Sequence, residues 1–303
     1  MTDRESDDRN SRTGEKKVSD ETQEKQVEEL VIQRILVALD TSTHSMAALH
    51  IAADVAAAMH AQLVGLFVED INLLRLARLP FAQELSWPTA SGRELDEERM
   101  ERALQLQASQ ARRALMRVAE QVEAEWTFRV VRGLVAAEVL EAALEADLLS
   151  LGRASRPFSA RTRLGSTAQA ALRAPRSVLL ARHGIDLQQP IAVTYDGSDA
   201  AARALMAAVK MAQVHDSNLI IVVLSEDLDD APLLAERANE WLEERVPQAN
   251  YRYLAAGSSA RLVAILQREE CGLVVLGGEF PPLQGEALQE LLDELDYPVL
   301  LVR

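Results

Sequence analysis

One cysteine, Cys271, in 303 residues excludes an intramolecular disulfide framework and suits a reducing compartment. Its neighbours, ECGLVVLGG, are apolar on one side, so a buried, inert thiol is expected. No apolar run approaches the roughly 18 residues of a membrane-spanning helix, which argues against a membrane protein. The first residues, MTDRESDDRNSRTGEKK, lack the apolar stretch of a signal peptide, and a cytoplasmic location is expected. A net charge of −15 leaves no general basic face for nucleic acid. Signatures of catalysis are missing as well. There is no G-x4-G-K-[ST] or G-x-G-x-x-G motif and no G-x-S-x-G nucleophile turn. The histidines His44, His50, His60, His183 and His215 form no metal-binding pair.

What the chain does have is a repeated order of apolar runs and helical stretches. Residues 1–30 are polar, mixed in charge and poor in large apolar side chains, so they read as a disordered, acidic arm. RILVALD (34–40), QLVGLFVED (62–70), FRVVRG (128–133), DLLSLG (147–152) and SVLLAR (177–182) read as strands. Helical patterns lie at 96–123, 134–146 and 165–174, and an N-cap at Ser42 or Thr43 opens the alanine-rich stretch after the first strand. Strand–helix alternation predicts a doubly wound α/β fold with parallel sheets and right-handed crossovers.

The second half restates the first. IAVTYDGS (191–198) aligns with ILVALDTS (35–42), placing Asp196 on Asp40, and NLIIVVLSED, YRYLAAG, CGLVVLGG and PVLLVR follow in the same order. The expected division is a domain at 31–184 and another at 188–303, joined through HGIDLQQP. Only the first carries the insertion 70–96, whose INLLRLARLPF has apolar residues at helical spacing. That stripe packs on its own domain or offers a lid, partner helix or dimer contact, with Phe81 and Trp87-Pro88 as anchors.

One stretch runs against the net charge. LGRASRPFSARTRLGST (151–167) holds Arg153, Arg156, Arg161 and Arg163 and no acid. The corresponding LGGEFPPLQGEAL of the second copy has no arginine or lysine, and Glu279 and Glu286 would repel phosphate. It is also shorter: 25 positions separate Gly152 from Ser177, but 21 separate Gly277 from Pro298.

These residues resemble the universal stress protein family as a tandem pair. ILVALDTS and IAVTYDGS carry the likeness, together with strand four running into a loop that follows the family's G-x2-G-x9-G-[ST] pattern. Gly152, Gly165 and Ser166 fit that pattern, and Ser155 stands where its second glycine belongs. The resemblance implies two five-stranded parallel open sheets of order 3-2-1-4-5, of the adenine nucleotide alpha hydrolase-like type. It further implies a stress-response regulatory protein that binds an adenine nucleotide, ATP, with or without Mg. By that resemblance Ala38, Leu39, Asp40 and Val68 take the adenine and ribose, and Leu151 and Gly152 line the pocket. Gly165, Ser166 and Thr167 would hold phosphates at a helix N-terminus, with Asp40 on the ribose or a metal. At Ser155, a side chain at positive φ costs about 1–2 kcal/mol, whereas a serine hydroxyl can also bond a phosphate. The second copy is expected to be a structural partner without nucleotide. The fifth strands would pair the copies inside one chain, and the resemblance leaves room for a homodimer. The alternatives are a nucleotide-independent scaffold with a lost site, and, behind it, a slow ATPase.

Overall fold

The structure is a computed structural model, and it describes residues 31–79, 83–86, 91–94, 96–153, 172, 176–182, 189–227, 229–242, 249–255, 259–279 and 281–303. The arm, the link 183–188 and most of the arginine-rich loop (154–171) therefore lie outside the described residues, as do Phe81, Trp87 and Pro88.

The first repeat begins with β1 (Arg34–Ala38), α1 (Thr43–Met59) and β2 (Gln62–Asp70). Next come α2 (Ile71–Ala77), a hairpin of β3 (Gln83–Ser86) and β4 (Ser91–Glu94), and α3 (Glu97–Gln121). The repeat closes with β5 (Trp126–Gly133), α4 (Val135–Ala143), β6 (Leu148–Gly152) and β7 (Ser177–Ala181). In the second half follow β8 (Ile191–Tyr195), α5 (Asp199–His215), β9 (Leu219–Ser225), α6 (Ala231–Leu242) and β10 (Ala249–Ala255). It ends with α7 (Ser259–Arg268), β11 (Leu273–Leu276), α8 (Gly285–Glu294) and β12 (Val299–Leu301).

All strands but the hairpin's form one ten-stranded sheet of order β10-β9-β8-β11-β12-β7-β6-β1-β2-β5. Each half has the order 3-2-1-4-5 with parallel neighbours, and the halves meet where β7 runs antiparallel to β12, Leu179 opposite Leu300. The expected pairing of fifth strands within the chain is therefore observed, and it makes one sheet of the two. Strands β7, β8, β9, β11 and β12 are buried along their length, as their near-continuous apolar runs require when helices cover both faces.

Alternation along β1 divides the core. Ile35 and Val37 point into a cluster with α1, α3, α5 and α6, while Leu36 faces one with α4, α7 and α8. Both clusters run across the seam between the repeats. Cys271 is fully buried, and burial, with Glu269 nearby, pushes its thiol up to about 12, so the inert role holds. No helix among the described residues is long and apolar enough to cross a membrane.

The insertion is more structured than a single helix. Asp70 caps α2 by accepting a hydrogen bond from Asn72 N–H, 2.8 Å, and Leu74 and Ala77 are buried while Leu73, Leu76 and Leu79 remain exposed. The apolar stripe thus packs partly on its own repeat.

Candidate functional site

In an open sheet the strand order reverses between the first and fourth strands, here β1 and β6, and the crevice beyond their carboxyl ends is where ligands enter. A cavity of about 410 Å³ opens there. Ala38, Leu39, Asp40, Val68, Leu151 and Gly152, the six described residues expected at a nucleoside, all line it. Ser155, Arg156, Arg161, Arg163, Gly165, Ser166 and Thr167 lie outside the described residues.

The floor is built by register. Ala38 pairs with Leu66 of β2, and Val37 with Ser150 of β6, so β1 and β6 end side by side while β2 runs on to Asp70. Gly152 is dictated by packing: a Cβ there would lie 2.4 Å from both the carbonyl carbon and oxygen of His44 on α1. The helix can seat against the strand only because that side chain is missing.

Beyond β1 the chain turns sharply. Thr41 has φ 63°, a conformation that costs a β-branched residue, and Gly197 takes the same place in the second repeat at φ 80°. Thr41→Gly is expected to stabilise the fold by about 0.5–1 kcal/mol, the relieved strain less the entropy glycine adds to the unfolded chain. A urea midpoint that falls instead would show that the Thr41 side chain is engaged. Ser42 caps α1 by accepting from Ser45 N–H at 3.1 Å, and Ser42 N–H donates to Asp40 Oδ1 at 3.0 Å. Burial pushes the Asp40 carboxyl up, but hydrogen bonds from Ser42 and Ser45 and from backbone N–H groups together outweigh it, leaving the group below its ordinary value. Asp40 is thus a fixed negative charge at neutral pH, with half-buried Ser42 and buried Ser45 behind it.

Elements distant in sequence complete the walls. Leu104 and Gln107 come from α3, Val135 and Val139 from α4, and Asp70 and Leu73 from the insertion. One signal for these was present: Asp70 closes the second strand as an acid, in the way Asp40 follows the first. His44 also lines the cavity.

Arg153 occupies a different place from the loop charge expected of it. It is buried, 2% exposed, and its guanidinium donates to the carbonyls of Leu295 at 2.9 Å and Leu292 at 2.5 Å at the C-terminal end of α8. Burial and then the like charge of Arg182 press its pKa down, partly countered by Asp293 and Asp296. Arg182 pairs with Asp296 beside it. Arg153 therefore ties the first residue after β6 to the other repeat.

At the second switch point the end of β8 is bonded to the loop after β11. Thr194, where the first repeat has Ala38, is fully buried; its hydroxyl donates to Gly277 C=O at 3.0 Å and accepts from Gly277 N–H at 3.2 Å. Asp196 Oδ1 accepts from Ser198 N–H and Oγ at 3.0 and 2.6 Å, and Oδ2 accepts from Glu279 N–H at 2.6 Å. Gly278, at φ 134°, brings the loop so near that a Cβ would lie 2.6 Å from Asp196 Oδ2. The carboxylate matching Asp40 is thus bonded to the backbone of the loop that would have to open for a ligand. A cavity of about 500 Å³ nevertheless borders this switch point, lined by Ala200, Gly277 and Gly278 and reaching along the start of α8 to Arg303 and to Leu172 of the first repeat.

Fold and crevice define a class: two doubly wound α/β repeats fused through their fifth strands, with a cavity bordering each switch point. Residues 32–182 match the model of the Universal stress protein family, and the chain belongs to that family. A universal stress protein from Archaeoglobus fulgidus DSM 4304 superposes with a TM-score of 0.67 at 16% identity, over 89% of this chain and 98% of that one. A functionally unknown protein from Pseudomonas aeruginosa PAO1 superposes with a TM-score of 0.57 at 15% identity, covering 90% and 93%. A putative universal stress protein from Pseudomonas aeruginosa UCBPP-PA14 gives 0.53 at 15% identity, covering 90% and 94%. No curated protein matches the chain.

Proposed function

We propose that the chain is a stress-response regulatory protein of the cytoplasm that binds one adenine nucleotide, ATP, in its first repeat, with the second repeat as a structural partner. The observation that carries this reading is the contrast between the two strand ends. At the first switch point Ala38 and Asp40 line the cavity; at the second, Thr194 and Asp196 are bonded to the loop after β11 and do not line the cavity there. A cavity of about 410 Å³ is in the range that holds a small organic ligand. The loop 154–167 would cover the phosphates, with Arg156, Arg161 and Arg163 supplying charge and Gly165, Ser166 and Thr167 the helix N-terminus. No group of three or more metal-ligating side chains occurs among the described residues, so a Mg ion would come with the nucleotide, held by phosphates and water beside Asp40. Hydrolysis, if any, is expected to be slow, and the reading assigns regulation to ordering of the loop.

The test is to denature freshly purified protein, identify any released nucleotide, and titrate ATP into wild type and Gly165→Asp. One equivalent per chain is expected, with at least a tenfold loss in the variant, because a carboxylate would face the phosphates. Absence of nucleotide and of binding at millimolar ATP would overturn the reading, and two equivalents would overturn the role of the second repeat.

Exposed Leu73, Leu76 and Leu79 on the insertion favour a second reading, a scaffold whose 70–96 segment meets a protein partner or a second copy of the chain.

A further inference from the structure

Gly152 ends β6 and lines the first cavity, and the residue after it turns to the other repeat. Arg153 N–H still belongs to the sheet, donating to Ala181 C=O of β7 at 2.9 Å. Its guanidinium crosses the seam to the carbonyls of Leu292 and Leu295 at the end of α8. Arg182, which follows β7, pairs with Asp296 one residue further along. The opposite end of α8 brings Gly285, Glu286, Leu288 and Gln289 into the wall of the second cavity. One helix of ten residues thus runs from the side chain that leaves the first cavity's wall to the wall of the second.

Each joint in this line is tight. A Cβ on Gly152 would lie 2.4 Å from backbone atoms of His44, so the end of β6 is seated directly on α1. Gly152 is also in register with Ala181, which fixes the strand end from its other side. Packed elements and hydrogen bonds of this kind are what carry a restraint from one site to another. Stability alone is a poor account of the arginine. It is 2% exposed and its Nε has no partner, and an apolar side chain of similar volume often serves a fold as well. Nor does the repeat require it, because Gly278 holds the matching place after Gly277 and has no side chain to send back.

We infer that Arg153 couples the two cavities. A ligand in the first restrains the end of β6, and Arg153 passes that restraint to α8 and so to the wall of the second. The ligand used to test this is ATP, so the inference rests on the nucleotide reading above.

The experiment is hydrogen exchange of the full chain, read by mass spectrometry on peptides from α8 and from α6, which packs on the other face of the sheet and serves as control. Wild type and Arg153→Met are each measured with and without saturating ATP, and calorimetry gives the ATP affinity of both. In wild type, ATP is expected to slow exchange at the amides of Leu291 to Leu295 roughly fivefold and to leave α6 unchanged. Arg153→Met should bind ATP as wild type does and show no slowing in α8. If that variant does not fold, Arg153→Lys replaces it; one amino group in place of a two-armed guanidinium should leave a smaller effect. ATP that binds wild type without slowing α8, or slows α6 as much, would overturn the coupling and leave nucleotide binding intact. Equal slowing of α8 in wild type and variant would overturn the part given to Arg153. Failure of wild type to bind ATP would overturn the nucleotide reading and the inference together.

Discussion

Gly152→Ala is expected to destabilise the chain by about 3 kcal/mol and to weaken nucleotide binding at least tenfold. The new methyl would sit 2.4 Å from two backbone atoms of His44, and neither can rotate away. Either α1 lifts from the sheet or the end of β6 moves outward, and overpacking of this kind costs about 1–3 kcal/mol. The upper end applies because the obstacle is main chain in the first turn of a helix whose inner face is buried from Ser45 to Ala56. Both possible movements displace groups that line the cavity. Gly133→Ala is the control. There an added Cβ meets only the flexible end of the Glu138 side chain, which can swing aside, so less than 1 kcal/mol and unchanged affinity are expected. Urea unfolding and ATP titration of both variants decide the matter, and equal behaviour would refute the packing argument.

How much of this was legible beforehand depends on the range over which each feature is determined. The strand order and the pairing of β7 with β12 follow from a pattern written twice, because each apolar run must find cover and the repeat fixes which run is equivalent to which. Ala38, Asp40, Val68 and Gly152 could be placed at one crevice because strand ends are local features and the order of the strands brings them together. The α3 and α4 walls could not: Gln107 and Val139 reach the cavity through the packing of whole helices on the sheet, which no short motif encodes. The hairpin of β3 and β4 was not read, because the helical spacing of the insertion covers only INLLRLARLPF and the polar residues after it show no strand alternation. The difference at the second switch point was half visible. The acids and prolines of its loop were plain, but the bonds from Thr194 to Gly277 and from Glu279 N–H to Asp196 depend on a backbone approach known only once the loop is folded.

Arg153 shows the same limit most sharply, and it supports the second large prediction. By sequence it belongs with Arg156, Arg161 and Arg163, yet its partners are 139 and 142 positions away. Helix α8 ends with unpaired carbonyls, as every helix does, and a cation there also meets the negative end of the helix dipole. Arg153→Ala removes both donors, leaves two acceptors in a dry seam and opens a hole, for an expected loss of about 3 kcal/mol. Arg153→Met fills most of that volume and removes the cost of a buried charge, including a guanidinium Nε that has no partner, so roughly half of the loss should return. Since the bond joins the repeats, hydrogen exchange should quicken at the last turn of α8 in both variants. A phosphate ligand would behave in the opposite way: Arg153→Ala would cost tenfold or more in ATP affinity and little stability. Measuring urea midpoint and ATP affinity on the same variants separates the two roles, and a stable Arg153→Ala protein that has lost its nucleotide would return the residue to the loop.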